Sequence, residues 1–399
     1  MTRVLLLEQI HPTATELLER AGFEVTSLDR ALDEAELVER IKGVELLGIR
    51  SKTRVTREVL AAADKLVGVG AFCIGTTQID LLGASEQGIT VFNAPFSNTR
   101  SVVELAISEV IALTRRLTEK SRLMHEGVWD KSADGAHEVR GRTLGIIGYG
   151  NIGTQLSVLA ENLGMRVIFY DTADRLALGN ARRCNSIKEL LVEADVVTLH
   201  VDDRPSNTNM FGDTELSAMK QGSMLLNLSR GFVVDYAALR RHLESGHLAG
   251  AAVDVFPVEP KGRGDEFVSE LRGLPNVILT PHIGGSTEEA QEDIGRFVAG
   301  KFRDFIQSGS TSMSVNVPGL TLPRADGTLR LIHLHRNVPG VLARVNGLLA
   351  EGGVNVEAQL LGTRGELGYV VTDSASGTTQ AIVDQIRAMP ETISLRVIF

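Results

Sequence analysis

The stretch "LGIIGYGNIG", residues 144–153, constrains this chain more than any other. An apolar strand, Leu144 to Ile147, runs directly into glycines at 148, 150 and 153, and a helix-forming stretch, "NIGTQLSVLAENLG", opens among them. Gly148 suits a tight turn, Gly150 lets the backbone approach a pyrophosphate, and Gly153 lets helix and strand pack closely. The helix start, with Asn151 and Ile152, offers free N–H groups to phosphate. Asp171 ends the next strand, 18 residues beyond Gly153. A carboxylate there accepts hydrogen bonds from the adenosine ribose and repels a 2′-phosphate, so the pattern favours NAD over NADP.

This turn begins almost 150 residues into a chain of 399, long enough for two or three domains. Before it, "RVLLLE" (3–8), "VELLGIRS" (44–51), "KLVGVGAF" (65–72) and "GITVFNAP" (88–95) read as strands alternating with helices. That rhythm predicts a mostly parallel sheet covered by helices. Residues 99–127 read as one long amphipathic helix, and a second α/β series runs from 143 to about 282. A further helix is predicted over 287–309. After it, "VPGLTLPRADGT" has the prolines and glycines of a linker, placed at 318–327. Residues 328–399 then follow the order β-α-β-β-α-β, the ferredoxin-like split unit.

Composition excludes several classes. The formal net charge of −9 argues against non-specific nucleic-acid binding. Cys73 and Cys184 form no CxxC pair, so neither a zinc site nor a disulfide framework is expected, and no metal is predicted. The start lacks the features of a secretory signal, and no apolar run reaches the ~18 residues that span a bilayer. A soluble cytoplasmic protein is expected.

Three polar groups fall just past strand ends, where ligands bind in such sheets. Arg230 follows "LLNLS", Glu259 follows "AAVDVF" and His282 follows "VILT". Interconverting an alcohol and a ketone requires a proton donor and acceptor beside the hydride path, and histidine suits that role near neutral pH. Glu259 would orient the ring and raise its pKa, and Arg230 would grip a substrate carboxylate with its fork. Taken singly, each has a plainer explanation as a structural histidine, a solvated glutamate or a surface ion pair. On successive strand ends of an NAD domain they point to catalysis.

With these blocks in place, the sequence resembles the D-isomer-specific 2-hydroxyacid dehydrogenases, on "NLSRG", "DVFPVEP" and "TPHIGGST". The resemblance implies a flavodoxin-like substrate domain (1–98 and 285–317), an inserted Rossmann NAD domain (99–284) and a regulatory ACT domain (328–399). It makes Arg230 a substrate ligand, His282 the acid/base and Glu259 its partner. Asp254 would contact the nicotinamide end of the cofactor, and Leu228, Ser229, Gly284 and Gly285 would line it. "GAFCIGTTQIDL", "FNAPFSNTRSVVEL" and "GVWDK" are similar to the branch that oxidises 3-phospho-D-glycerate to 3-phosphooxypyruvate at the start of L-serine synthesis. That branch also implies reduction of 2-oxoglutarate, because a distal carboxylate can replace phosphate.

Chemically, Arg50, Ser51, Lys52 and Arg54, with Asn98 and Arg100, suit a dianionic phosphate. In the tail, His335, Asn337 and Asn355 match the positions that bind serine in related modules, across a dimer interface. A homotetramer inhibited by L-serine is expected. Two other readings stay open at this stage: a dehydrogenase for another D-2-hydroxyacid, and a non-catalytic NAD-sensing corepressor on the same fold.

Overall fold

The computed structural model describes residues 1–260, 264–323, 327–374 and 378–398. The chain divides into two compact units, Met1–Ser97 with Gln291–Phe399, and Asn98–Ala290.

The first unit opens with β1 (Arg3–Leu7), β2 (Glu24–Leu28), β3 (Leu46–Ile49), β4 (Gly68–Ala71) and β5 (Thr90–Asn93). All pair in parallel, in the flavodoxin-like order β2-β1-β3-β4-β5. β3, β4 and β5 are buried along their whole length, as expected for parallel strands covered on both faces. β2 is not among the strands that the sequence predicts; it is a polar, half-exposed edge strand. The helix Glu288–Ser308 belongs to this core along the residues that fall in the unit: Ile294, Val298, Phe302 and Phe305 pack among Leu46, Phe72 and Phe92.

The second unit contains β6 (Thr143–Ile147), β7 (Arg166–Tyr170), β8 (Arg182–Arg183), β9 (Val196–Leu199), β10 (Ser223–Asn227), β11 (Leu248–Val253) and β12 (Val277–Leu279). Their order, β12-β11-β10-β9-β6-β7-β8, is a Rossmann sheet with its switch point between β6 and β9. The single helix predicted over 99–127 is instead two, Thr99–Thr114 and Leu117–His125. Arg116 breaks it with a left-handed φ of 53°, held by a fork to Glu119 at 2.7 and 2.8 Å.

The C-terminal module also lies in the first unit. It consists of β13 (Leu329–Arg336), the helix Val341–Glu351, β14 (Val356–Arg364), β15 (Leu367–Ser374), the helix Gln380–Arg387 and β16 (Thr392–Ile398). The antiparallel order β14-β15-β13-β16 is ferredoxin-like. The two helices cover one face of this sheet. On the other, Ile332, Leu334, Tyr369 and Val371 pack with Val317, Leu320 and Leu322, so the predicted linker contributes two leucines to a core. Its residues 324–326 lie outside the described residues.

Polar contacts seat the module firmly. Arg330 is wholly buried and forks onto Asp373 with both distances 2.6 Å. It also donates to the carbonyls of Ser308 and Leu322 at 2.8 Å and of Pro323 at 3.1 Å. Tyr369 donates to the Gly309 carbonyl at 2.8 Å, and the Arg396 guanidinium lies 4.3 Å over the Phe305 ring. These groups answer the carbonyls that a helix C-terminus leaves without partners. Among the described residues no helix is long and apolar enough to cross a membrane.

Candidate active site

The glycine turn follows β6 at the switch point of the second unit, where open α/β sheets bind ligands. Gly148 has φ +92°, and a Cβ there would collide with the His200 carbonyl. A Cβ on Gly153 would strike the Gly148 carbonyl, so this glycine sets the closeness of helix to strand. Around Gly150 a Cβ would meet nothing within 4 Å, which leaves the approach to the turn open. The helix Asn151–Asn162 starts there with no side-chain cap, so its first N–H groups point into that opening. Asn151 is exposed and Ile152 half-buried.

Asp171, just past β7, has its carboxylate fixed by the Tyr149 and Ala173 N–H groups, both at 2.8 Å. Arg175 Nε stands 3.6 Å from it. An open glycine turn, an uncapped helix start and a fixed carboxylate at the next strand end fit an adenine dinucleotide.

Three neighbouring strands, β10, β11 and β12, deliver the polar groups from their C-terminal ends. After β10, Leu228 and Ser229 are buried and Arg230 is half-buried. Asn227 shapes this turn: its Oδ1 accepts from the Ser229 N–H at 3.1 Å and hydroxyl at 2.8 Å, and its Nδ2 donates to the Arg230 carbonyl at 3.0 Å. Arg230 Nη1 donates to the Ser229 carbonyl at 2.8 Å.

Asp254, at the end of β11, is 1% exposed. Oδ1 accepts from Thr280 Oγ1 at 2.6 Å and from the Ile283 N–H at 2.8 Å, and Oδ2 from the Gly284 N–H at 2.8 Å. It therefore fixes the loop on both sides of His282. That residue has a left-handed φ of 55°, the kind of strained backbone that surrounding structure must enforce. Gly285 lies against Asn98, where a Cβ would meet the Asn98 side chain. Asn98 Oδ1 is buried without a hydrogen-bond partner.

Glu259 comes from the loop after β11. Its Oε2 lies 2.9 Å and its Oε1 3.1 Å from His282 Nδ1, and Oε1 also accepts the Phe256 N–H at 3.1 Å. The hydrogen bond to Glu259 raises the His282 pKa above the ordinary imidazole value; partial burial opposes it, and the charges of Glu259 and Asp254 reinforce it. Burial works to raise the Glu259 carboxyl, but the hydrogen bond and charge of His282 hold it below its usual value. Nδ1–H directed at Glu259 leaves Nε2 to exchange protons.

Two groups here escaped the sequence reading. Asn227 reads as one more strand residue in "LLNLS". Glu109, on the helix Thr99–Thr114, is buried, and burial with the nearby Asp254 charge pushes its pKa up to about 8. Nothing in a helical pattern distinguishes it.

Arg50, Ser51 and Lys52 follow β3 in the first unit, whereas Asn98, Arg230 and His282 belong to the second. Arg100 forms an ion pair with Glu104 at 2.6 Å. In the C-terminal module His335 is buried, with Nδ1 2.8 Å from the Arg336 carbonyl. Asn337 Nδ2 donates to the Gly365 carbonyl at 3.1 Å. Val356 pairs with Ser374, and Ser374 with Leu329, so Asn355 stands at the opposite end of the sheet from His335. Six residues of strand separate those levels, on the order of 20 Å, and one chain does not bring the three together.

Residues 107–284 match the model of the D-isomer specific 2-hydroxyacid dehydrogenase NAD binding domain. Residues 331–394 match that of the AHAS small subunit-like ACT domain. The chain is 50% identical to D-3-phosphoglycerate dehydrogenase from Haemophilus influenzae and 49% identical to that from Dictyostelium discoideum, in each case over 100% of this chain and 97% of the relative. Among solved structures it is similar to D-lactate dehydrogenase from Aquifex aeolicus complexed with NAD and lactic acid, at TM-score 0.70 and 27% identity, covering 79% of this chain and 100% of that one. It is also similar to the TT0316 protein from Thermus thermophilus, at TM-score 0.68 and 32% identity, covering 75% and 94%.

Proposed function

Because this chain belongs to the D-3-phosphoglycerate dehydrogenases, we propose that His282, Glu259 and Arg230 carry the reaction of that family here. The enzyme oxidises 3-phospho-D-glycerate to 3-phosphooxypyruvate with NAD, the first step of L-serine biosynthesis. That disposes of the corepressor reading.

NAD, when bound, supplies the hydride acceptor. Gly148, Gly150, Asn151, Ile152 and Gly153 hold its pyrophosphate, and Asp171 its adenosine ribose. Leu228, Ser229, Gly284 and Gly285 line its remaining length, and Asp254 orients its nicotinamide end through the loop it fixes. His282 Nε2 takes the proton of the substrate hydroxyl, and the imidazolium so formed is stabilised by Glu259. Arg230 holds the substrate carboxylate beside the carbon that is oxidised. Arg50, Ser51 and Lys52 hold the phosphate. The carrying observation is the 2.9 Å bond between His282 Nδ1 and Glu259 on adjacent strand ends of an NAD-binding sheet. The same cationic pocket suits 2-oxoglutarate, whose distal carboxylate replaces the phosphate.

We read the C-terminal module as the L-serine sensor. His335 and Asn337 of one subunit, with Asn355 of a second copy, supply donors and acceptors for an amino acid's carboxylate, hydroxyl and amine. The separation of Asn355 from His335 in one chain supports a site shared by two, within a cytoplasmic homotetramer. The experiment follows NADH absorbance with 3-phosphooxypyruvate, with and without millimolar L-serine. Consumption that serine suppresses is the expected result. Consumption indifferent to serine overturns the sensor assignment, and no consumption by a folded protein that binds NADH overturns the site assignment.

A further inference from the structure

In the first unit the strand order switches between β1 and β3, so the loops after those two strands form the crevice where such a sheet binds ligands. The loop after β3 carries Arg50, Ser51 and Lys52. The loop after β1 carries Glu8, which is 8% exposed and points its carboxylate at that neighbour. Glu8 and Gln9 have left-handed φ values of 66° and 54°. Side chains rarely adopt that conformation, and such strain persists where surrounding contacts enforce it.

Those contacts are specific. Glu8 Oε1 accepts the N–H groups of Arg50 at 3.2 Å and Thr53 at 2.8 Å, and Oε2 accepts that of Lys52 at 3.0 Å. The Arg50 peptide is gripped from its other side by Gln78, whose Nε2 donates to the Arg50 carbonyl at 2.7 Å. Backbone N–H groups converging on one point form a concavity suited to a free anion. Here the protein fills it with its own carboxylate. A substrate phosphate is then left to the side chains of Arg50, Ser51 and Lys52, whose backbone has one enforced geometry.

We propose that Glu8 is a positioning residue for the substrate: an internal anion that moulds residues 50–53 so that their side chains, not their amides, face the phosphate. The proposal rests on the reading of Arg50, Ser51 and Lys52 as the phosphate site. A carboxylate suits the task better than an amide because every partner is a donor. Its charge also offsets the two cations when no substrate is bound.

The test is steady-state kinetics of the full-length enzyme for Glu8→Gln, Gln78→Leu and Arg50→Ala, with melting temperatures and NADH affinity measured in parallel. Arg50→Ala is expected to raise KM for 3-phosphoglycerate. Glu8→Gln is expected to raise the same KM by ~10- to ~100-fold, the scale of a misplaced binding group, with kcat and NADH affinity little changed. Gln78→Leu moves KM in the same direction by less, and the double variant falls short of the product because both act on one peptide. If Arg50→Ala raises KM while Glu8→Gln and Gln78→Leu change only the melting temperature, Glu8 merely braces the fold and the proposal is overturned. If Arg50→Ala leaves KM unchanged in an active enzyme, the phosphate-site reading fails and takes the proposal with it. Should Glu8→Gln not fold, Gln78→Leu decides: a raised KM supports the proposal and an unchanged one overturns it.

Discussion

At the scale of single residues, the proposed chemistry rests on one ring nitrogen, Nε2 of His282. His282→Gln removes the proton acceptor while leaving the NAD turn intact. It is expected to lower kcat by ~10²- to ~10⁴-fold, the usual worth of a general base, with NADH binding retained by fluorescence titration. Glu259 tunes this base. Its hydrogen bond and charge raise the His282 pKa, so oxidation, which needs the neutral ring, is expected to rise with pH through a midpoint above the ordinary imidazole value. Reduction, which needs the protonated ring, falls over the same range. In Glu259→Gln the midpoint is expected to move to lower pH, and a pH–rate profile that does not move contradicts the pairing. Arg230, Glu259 and His282 stand out in the sequence because each follows a recognisable strand within a few residues. Asn227, Glu109 and Glu8 do not, since their roles depend on what lies across a turn or beneath a helix, and neighbours along the chain do not reveal that.

At the scale of elements, strands buried on both faces were the easiest to read, because apolar runs between turn residues have few other uses. β2 escaped because its residues "EVTSL" carry no such run; tertiary pairing with β1 makes it a strand. The helix predicted over 99–127 broke at Arg116 for a comparable reason. The apolar periodicity continues, yet a local fork to Glu119 stabilises a left-handed residue that no pattern announces. The glycine turn behaved otherwise, since each of its glycines has a local steric purpose. Gly153→Val is therefore expected to push the helix Asn151–Asn162 off β6, weaken NADH binding and cost ~1–3 kcal/mol of stability, as overpacked sites do. Thermal melting and titration on one sample check both effects.

At the scale of the whole molecule, the NAD turn comes late because the second unit, Asn98–Ala290, interrupts the chain between the two parts of the first. Less visible was how the C-terminal module is attached. Prolines and glycines over 318–327 suggested a plain connector, yet Val317, Leu320 and Leu322 lie in a core shared with Ile332 and Tyr369. The buried Arg330–Asp373 pair gives the attachment a measurable energy. Arg330→Ala strands a buried carboxylate and is expected to cost ~3–5 kcal/mol, whereas replacing both partners with leucine costs less, because the Asp373 charge goes too while the three carbonyls lose their donor in either variant. Chemical denaturation of the two variants separates them.

The grip of Arg330 on the Ser308, Leu322 and Pro323 carbonyls bears on how such enzymes can exchange regulatory parts. A C-terminal module cut away at Gly327 would leave Val317, Leu320 and Leu322 behind and expose the apolar sheet face they cover. For recombination, natural or engineered, the natural seam lies upstream of Ser308, so the end of the helix and the strap after it travel with the C-terminal module. A graft that respects that seam inherits a finished joint; one made at the glycine must build one.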